Sequence, residues 1–166
     1  MDYQNLYTFL GVLSQRQLFV TVANALIDAG EEEKALEIQQ LCETCFPEEN
    51  FPLETISLGF AGNDYMVAQM IENYYYLGDA ESARDMAGRM AAGLLDTAAF
   101  FLEWGNLGGS EFDSATRVLL YIADVCRQYG DKELSKSMTG ALETMLHAVA
   151  GDYAPEEELS DTPEID

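Results

Sequence analysis

The chain has 166 residues, of which 48% are apolar and four are proline, so it has the size of one domain that can bury a core without disulfides or a metal. Thirty acidic residues against eight basic ones give a formal net charge of −22, which repels phosphate backbones and anionic lipid headgroups. We therefore expect no binding to nucleic acid or to a membrane surface.

The stretch YQNLYTFLGVLSQ before Arg16 contains no charged residue. Its apolar residues recur at helical spacing, which predicts a leading helix or a linker over residues 1–14. It is shorter than the ~20 apolar residues that a membrane span needs, and no basic region precedes it as in a signal peptide. We therefore expect no insertion of this chain into a membrane.

The segment from Phe19 to Pro47, which includes ANALIDAGEEEKALEIQQLCETCFP, predicts a first helical hairpin. Its two apolar stripes are separated by Gly30, a residue suited to the left-handed conformation past a helix end, and the second stripe stops at Pro47. The first stripe comprises Phe19, Val22, Ala23, Leu26 and Ile27, and the second comprises Ala35, Ile38, Leu41, Cys42 and Cys45.

Two further hairpins repeat this order of apolar stripe, glycine, acidic N-cap and second stripe. One turns at Gly78 with Asp79 as its cap, and its return helix is expected to continue as far as Trp104. The other turns at Gly130 with Asp131 as its cap. No run alternates with a period of two, so the predicted fold class is all-α.

The glycine-rich stretch GNLGG separates the second hairpin from the third. The segment SEFD, from Ser110 to Asp113, has the spacing of a capping box for the next helix. No phosphate-binding glycine motif follows a strand, so we interpret this stretch as a helix connection. At the other end, residues 151–166 contain seven acidic residues after position 151 and two prolines, which predicts a disordered acidic tail.

The hairpin pattern resembles the tetratricopeptide repeat over residues 15–147, within a predicted domain of residues 15–150. The first hairpin matches best, at Phe19, Val22, Ala23, Leu26, Gly30, Ala35, Cys42 and Pro47. The resemblance implies antiparallel hairpins stacked as a right-handed superhelix. The turn glycines lie 48 and 52 residues apart instead of the 34 of the repeat, so this is a repeat with inserted segments.

The stretches ALIDAGEEEKALEI and ENYYYLGDAESARDMA also resemble the soluble C-terminal region of bacterial multi-pass membrane proteins related to protein O-mannosyltransferases. That resemblance implies an extracytoplasmic, periplasmic position beside a membrane-embedded glycosyltransferase-like portion. None of that portion's catalytic residues can be transferred to this sequence.

Cysteine and histidine offer little chemistry in this sequence. Cys42 and Cys45 form a C-x-x-C at the end of a helix, where the helix dipole disfavours a thiolate, so we predict that both are small core residues. Only Cys126 and the lone His147 could complete a metal site, without ligand spacing. We predict no metal and no cofactor, and an ordinary surface position for His147.

Carboxylates are numerous, for example Glu31 to Glu33, Glu48 with Glu49, and Asp113. Nearly all fall on predicted polar faces or loops, whereas acid and base catalysis requires a buried or closely paired acid. We therefore expect this chain not to be an enzyme, with a carboxylate-based hydrolase as the least favoured alternative.

A partner-binding groove is expected on the first helix of each hairpin, as the tetratricopeptide resemblance implies. The residues aligned to point into it are Asn24, Ile27, Tyr65, Tyr75, Arg117 and Arg127. Aromatic residues and arginine are enriched in binding hot spots. Of the consecutive Tyr74, Tyr75 and Tyr76, at least one must face outward, since successive residues point ~100° apart.

The predicted function is a non-catalytic helical-repeat module that binds or positions a protein, a peptide or a glycan. Its expected context is the extracytoplasmic part of a membrane glycosyltransferase-like protein. The alternative is a free-standing adaptor, cytoplasmic in that case, that uses the same groove for a basic peptide attracted by the acidic surface.

Overall fold

The computed structural model describes residues 3–56, 61–103 and 109–152, and in these ranges it contains six α-helices and no β-strand. The helices are α1 (Tyr3–Asp28), α2 (Glu32–Cys45), α3 (Ala61–Tyr76), α4 (Ala80–Glu103), α5 (Gly109–Gln128) and α6 (Lys132–Asp152). The all-α prediction is therefore confirmed.

A short turn around a glycine in the left-handed conformation joins the two helices of each pair. The φ angle is 74° at Gly30, 83° at Gly78 and 95° at Gly130. At each turn the glycine N–H donates to the carbonyl three residues back, and the next N–H donates to the carbonyl five residues back. These bonds form a Schellman motif. The three predicted hairpin turns are thus confirmed.

The two predicted aspartate caps behave differently. Asp79 caps α4, because its carboxylate accepts hydrogen bonds from the N–H of Ser82 at 3.1 Å and from the Ser82 hydroxyl at 2.8 Å. Asp131 does not use its carboxylate in this way. It accepts hydrogen bonds from the Tyr75 hydroxyl at 2.6 Å and from Nε of Arg84 at 2.8 Å. Asp131 therefore fastens the third turn to α3 and α4.

The first helices of the three hairpins pack side by side, since α3 contacts both α1 and α5. The return helix α4 contacts α3, α5 and α6, so it joins the second hairpin to the third. Alanines at the helix contacts, such as Ala23, Ala35, Ala83 and Ala87, are fully buried. Their small side chains let neighbouring helices approach closely.

Arg16 is a buried cation that attaches α1 to the segment following α2. Its side chain is only 2% exposed, and its guanidinium donates to the backbone carbonyls of Pro52 at 2.8 Å, of Phe46 at 3.5 Å and of Phe51. A buried charge is tolerated only where hydrogen bonds replace its hydration. Arg16 therefore holds the irregular segment after Pro47 against the first hairpin.

Helix α1 runs without interruption through residues 14 and 15, so the leading segment and the first hairpin share one helix. Among the described residues, one stretch, Leu10–Asp28, is long and apolar enough to cross a membrane, with a mean hydropathy of 1.2. The apolar window that ends at Arg16 predicted no stretch of this length. This rests on length and composition alone, which core helices also satisfy, and 22% of the stretch is buried.

The connection before α5 departs from the prediction. Helix α5 begins at Gly109, so Ser110 lies inside the first turn, and its hydroxyl donates to the Glu111 carboxylate at 2.6 Å. The capping-box prediction is therefore wrong. Helix α4 continues as far as Glu103, whereas Trp104 and the predicted tail after Asp152 lie outside the described residues.

Candidate binding face on the first helices of the hairpins

Helices α1, α3 and α5 expose side chains at the same four positions, which lie 13, 9, 6 and 2 residues before the turn glycine. Because these positions are three or four residues apart, they form one face of each helix. Every side chain in this set is exposed or half-buried. The set, named here the first-helix face, comprises Gln17, Thr21, Asn24 and Asp28 on α1, Tyr65, Gln69, Glu72 and Tyr76 on α3, and Arg117, Tyr121, Asp124 and Gln128 on α5.

Three of the six residues predicted for the groove lie on this face. Asn24 is half-buried between α1 and α3. Tyr65 is 43% exposed near the start of α3. Arg117 is exposed on α5, where its guanidinium lies 3.9 Å from the carboxylate of Asp113.

The other three predicted residues lie three positions before each glycine and do not share one environment. Ile27 is half-buried at the edge of the face, and Arg127 is exposed and pairs with Asp124. Tyr75 is only 6% exposed, so its predicted place in the groove is wrong. Its neighbour Tyr76 is 53% exposed, because a shift of one residue rotates a side chain by ~100° around the helix.

A cavity of about 380 Å³ opens on the first-helix face where α1, α3 and the end of α5 meet. Its lining residues are Asn24, Ile27, Asp28, Gln69, Glu72, Asn73, Tyr76 and Tyr129. Of these residues, only Asn24 and Ile27 are among the six predicted for the groove. Asp28 lies four residues after Asn24, and Tyr76 lies four residues after Glu72. This spacing places each pair on one side of its helix and is the sequence signal for more of the lining residues.

Two asparagines link α1 to α3 at the wall of the cavity. Nδ2 of Asn73 donates to Oδ1 of Asn24 at 2.7 Å. Within the described residues, Nδ2 of Asn24 and Oδ1 of Asn73 have no hydrogen-bond partner. One amide donor and one amide acceptor therefore remain beside the cavity, and these are the two groups that a peptide backbone needs.

Tyrosines surround the carboxylate of Glu72. The Tyr121 hydroxyl donates to Glu72 at 2.7 Å, and burial together with this bond raises the pKa of Tyr121 to about 12. Burial, with the nearby Glu72 and Tyr76, also raises the pKa of Tyr129. The Tyr129 ring stacks on Tyr75 with centroids 5.2 Å apart and an interplanar angle of 10°. These phenols remain neutral at physiological pH.

Basic side chains do not balance the acids of the cavity. No lysine or arginine is among its lining residues, and Arg16 is bonded to backbone carbonyls instead. Six other basic residues pair with acids elsewhere, namely Lys34, Arg84, Arg89, Arg117, Arg127 and Lys136. The eighth, Lys132, is exposed at the start of α6 and does not line the cavity. Asp28 and Glu72 form no ion pair within the described residues, so the cavity has a negative potential.

The cysteines show no feature of a redox site. Cys42 is 1% exposed, as predicted for a core residue, and burial raises the pKa of its thiol to about 11. Cys45 is exposed, so its predicted burial is wrong, because α2 ends at this residue. Cys42, Cys45 and Cys126 are all free thiols.

The carboxylate of Asp64 is fully buried, and its hydrogen bonds belong to the fold. The N–H and the hydroxyl of Thr55 donate to the two oxygens of Asp64 at 2.8 Å and 2.9 Å. Burial raises the pKa of Asp64 to about 7, and the nearby Glu54 adds to the effect. No group of three metal-ligating side chains occurs in the part of the chain that the structure describes, and His147 is exposed on α6.

Comparisons with models of protein families, with curated proteins and with solved structures give no match for this chain. Over the ranges that the structure describes, the fold defines an all-α class with three helical hairpins.

Proposed function

We propose that the chain is a non-catalytic helical-repeat module that binds an extended segment of a partner protein along the first-helix face. The observation that carries this proposal is the recurrence of the same four exposed or half-buried positions on three adjacent helices. Stacked hairpins present such continuous surfaces because each repeat contacts only its neighbours. A tetratricopeptide-like right-handed superhelix is the arrangement that we propose for them.

The chemistry of the face supports a peptide ligand. Tyr65, Tyr76 and Tyr121 provide exposed aromatic surface on α3 and α5, and tyrosine contributes contact area at low entropic cost. The free donor of Asn24 and the free acceptor of Asn73 are placed to bind one peptide group. A purely apolar or purely charged surface does not offer such a pair of groups.

A peptide-display selection against the immobilised full chain tests this proposal. Selected peptides are measured by fluorescence polarisation against the wild type and two face variants, Asn24→Ala and Tyr76→Ala. Each variant should weaken binding about fivefold to tenfold, the effect of one lost hydrogen bond or aromatic contact. The control is Leu41→Ala, an exposed apolar residue on α2 away from this face. Peptides that bind all four proteins equally would refute the proposed face.

The membrane context remains part of the proposal and rests on the resemblance to the mannosyltransferase-related proteins. It places the module on the extracytoplasmic side of a glycosyltransferase-like protein. The upstream genomic reading frame tests it, because several apolar spans of about 20 residues would support that context. If there are none, the free-standing adaptor is the better proposal, and the negative cavity favours a basic peptide for it.

A further inference from the structure

The cavity on the first-helix face combines a half-exposed aromatic ring with an unpaired carboxylate. One face of the Tyr129 ring is stacked on Tyr75, while 41% of Tyr129 remains exposed and lines the cavity. The exposed part of Tyr129 is therefore available to a ligand in the cavity. A planar cation placed there continues the stack that Tyr75 begins.

The carboxylate of Glu72 is held in position beside this ring. Its hydrogen bond from the Tyr121 hydroxyl uses one of its acceptor sites, and a carboxylate offers about four. Asp28 adds a second negative charge from the α1 wall. The cavity therefore contains both elements that stabilise an organic cation, namely aromatic surface and negative charge.

We infer that this cavity binds the guanidinium group of an arginine in the partner segment, stacked on Tyr129 and paired with Glu72. The inference rests on the proposed function, since the arginine belongs to the peptide bound along the first-helix face. Asn24 and Asn73 then bind the peptide group next to that arginine. The cavity of about 380 Å³ lies at the small end of ligand pockets, which suits a single side chain.

Arginine fits this arrangement better than lysine does. A guanidinium is planar, stacks on aromatic rings and gives up its hydration more easily than an ammonium group. It can also donate two parallel hydrogen bonds to one carboxylate. Lysine should therefore bind in the same place, but several times more weakly.

Titration of the isotope-labelled full chain with small blocked amino acids, followed by NMR, tests the inference. The probes are acetyl-arginine amide, acetyl-lysine amide and acetyl-citrulline amide, of which citrulline is the neutral isostere of arginine. The arginine probe should bind with a Kd of about 1 mM and shift the amide signals around Asn24, Glu72 and Tyr129. The lysine probe should bind about threefold to fivefold more weakly, and citrulline should produce no saturable shift.

Four variants test whether the NMR shifts depend on the Glu72 carboxylate and on the Tyr129 ring. Glu72→Gln should weaken arginine binding about tenfold, the usual effect of a charge-assisted bond, and Tyr129→Leu about threefold to fivefold. Tyr129→Phe keeps the ring and should bind like the wild type. The control is Glu37→Gln, which removes one exposed acid from α2 away from the cavity. Equal effects of Glu72→Gln and Glu37→Gln would show that only net charge attracts the probe, and would overturn the inference.

The outcome separates this inference from the proposed function. If citrulline shifts the same signals as arginine, or if arginine shifts signals over the whole surface, the arginine site is refuted. The proposed function still stands in that case if selected peptides lose affinity with Asn24→Ala. If the selected peptides bind away from this face while the arginine probe saturates at Glu72, the proposed peptide groove fails and the cation site alone remains.

Discussion

Replacing Asp64 with asparagine should remove most of the pH dependence of stability between pH 5 and pH 8. Asp64 is fully buried, and burial raises its pKa from 3.8 to about 7. Asparagine keeps the size of the side chain. Its oxygen can accept the Thr55 N–H bond, and its amide can donate to the Thr55 hydroxyl oxygen, so both contacts of Asp64 can persist.

The sign follows from the raised pKa of Asp64. The folded chain holds this proton more tightly than the unfolded chain, so the contribution to stability is complete below pH 3.8 and is lost as the pH rises through about 7. At about 1.4 kcal/mol per pH unit, the two units from pH 5 to pH 7 correspond to a loss of about 3 kcal/mol. Above pH 8 this contribution no longer changes.

Urea denaturation followed by circular dichroism at pH 5, 6, 7 and 8 measures this effect. The wild type should lose about 3 kcal/mol of unfolding free energy over this range, while Asp64→Asn should change little and exceed the wild type at pH 8. The control Glu37→Gln removes an exposed acid and should run parallel to the wild type. Equal slopes for the wild type and Asp64→Asn would refute the reasoning that folding protonates Asp64.

Three further predictions concern the fold. Arg16→Met removes the bonds to three carbonyls and should lower the unfolding free energy by about 2–3 kcal/mol, whereas a loss below about 0.5 kcal/mol would contradict the attachment role. Gly78→Ala should lower the unfolding free energy by about 1–2 kcal/mol, because Gly78 has a left-handed φ. Gly88→Ala should raise the unfolding free energy by about 0.5–1 kcal/mol, because Gly88 lies inside α4 with open space around it. Urea denaturation of both variants measures the difference. Cys45 should react with a thiol reagent in the folded chain and Cys42 only after unfolding, and equal reaction rates would disprove this difference.

The hairpins were predictable because their determinants are local in sequence. A stripe of apolar residues three and four apart defines the buried side of a helix, and a glycine after it defines the turn. Gly30, Gly78 and Gly130 each satisfy both conditions, and the structure turns at all three. The cap at Asp79 was predictable for the same reason, because its carboxylate contacts a residue only three positions away.

Two features escaped the sequence pattern because a side chain contacts a distant part of the chain. Asp131 looked like a cap, but Tyr75 and Arg84, 56 and 47 residues away, bind its carboxylate. Arg16 was seen only as the end of an apolar window, yet it binds carbonyls 30 to 36 residues later. Local pattern contains no information about such pairs, because they form only when hairpins stack.

For the candidate site, the sequence predicted which helices form it but not which residues line the cavity. The hairpin pattern led to α1, α3 and α5. The alignment selected the position three residues before each turn glycine, whereas the first-helix face contains the position two residues before it. Tyr129 follows the end of α5 and thus lies outside any helical pattern. Asn73 is 7% exposed, so the sequence pattern assigns it to the core, although it lines the cavity beside Asn24.

The three Schellman turns also determine where the chain tolerates a change in length. One residue inserted next to Gly30, Gly78 or Gly130 would break the two turn hydrogen bonds that fix the direction of the following helix. The segments between Cys45 and Ala61 and between Glu103 and Gly109 join different hairpins, and added loop length costs little free energy. The length of the chain can therefore change between the hairpins while the three turn glycines, which lie 48 and 52 residues apart, keep their left-handed geometry.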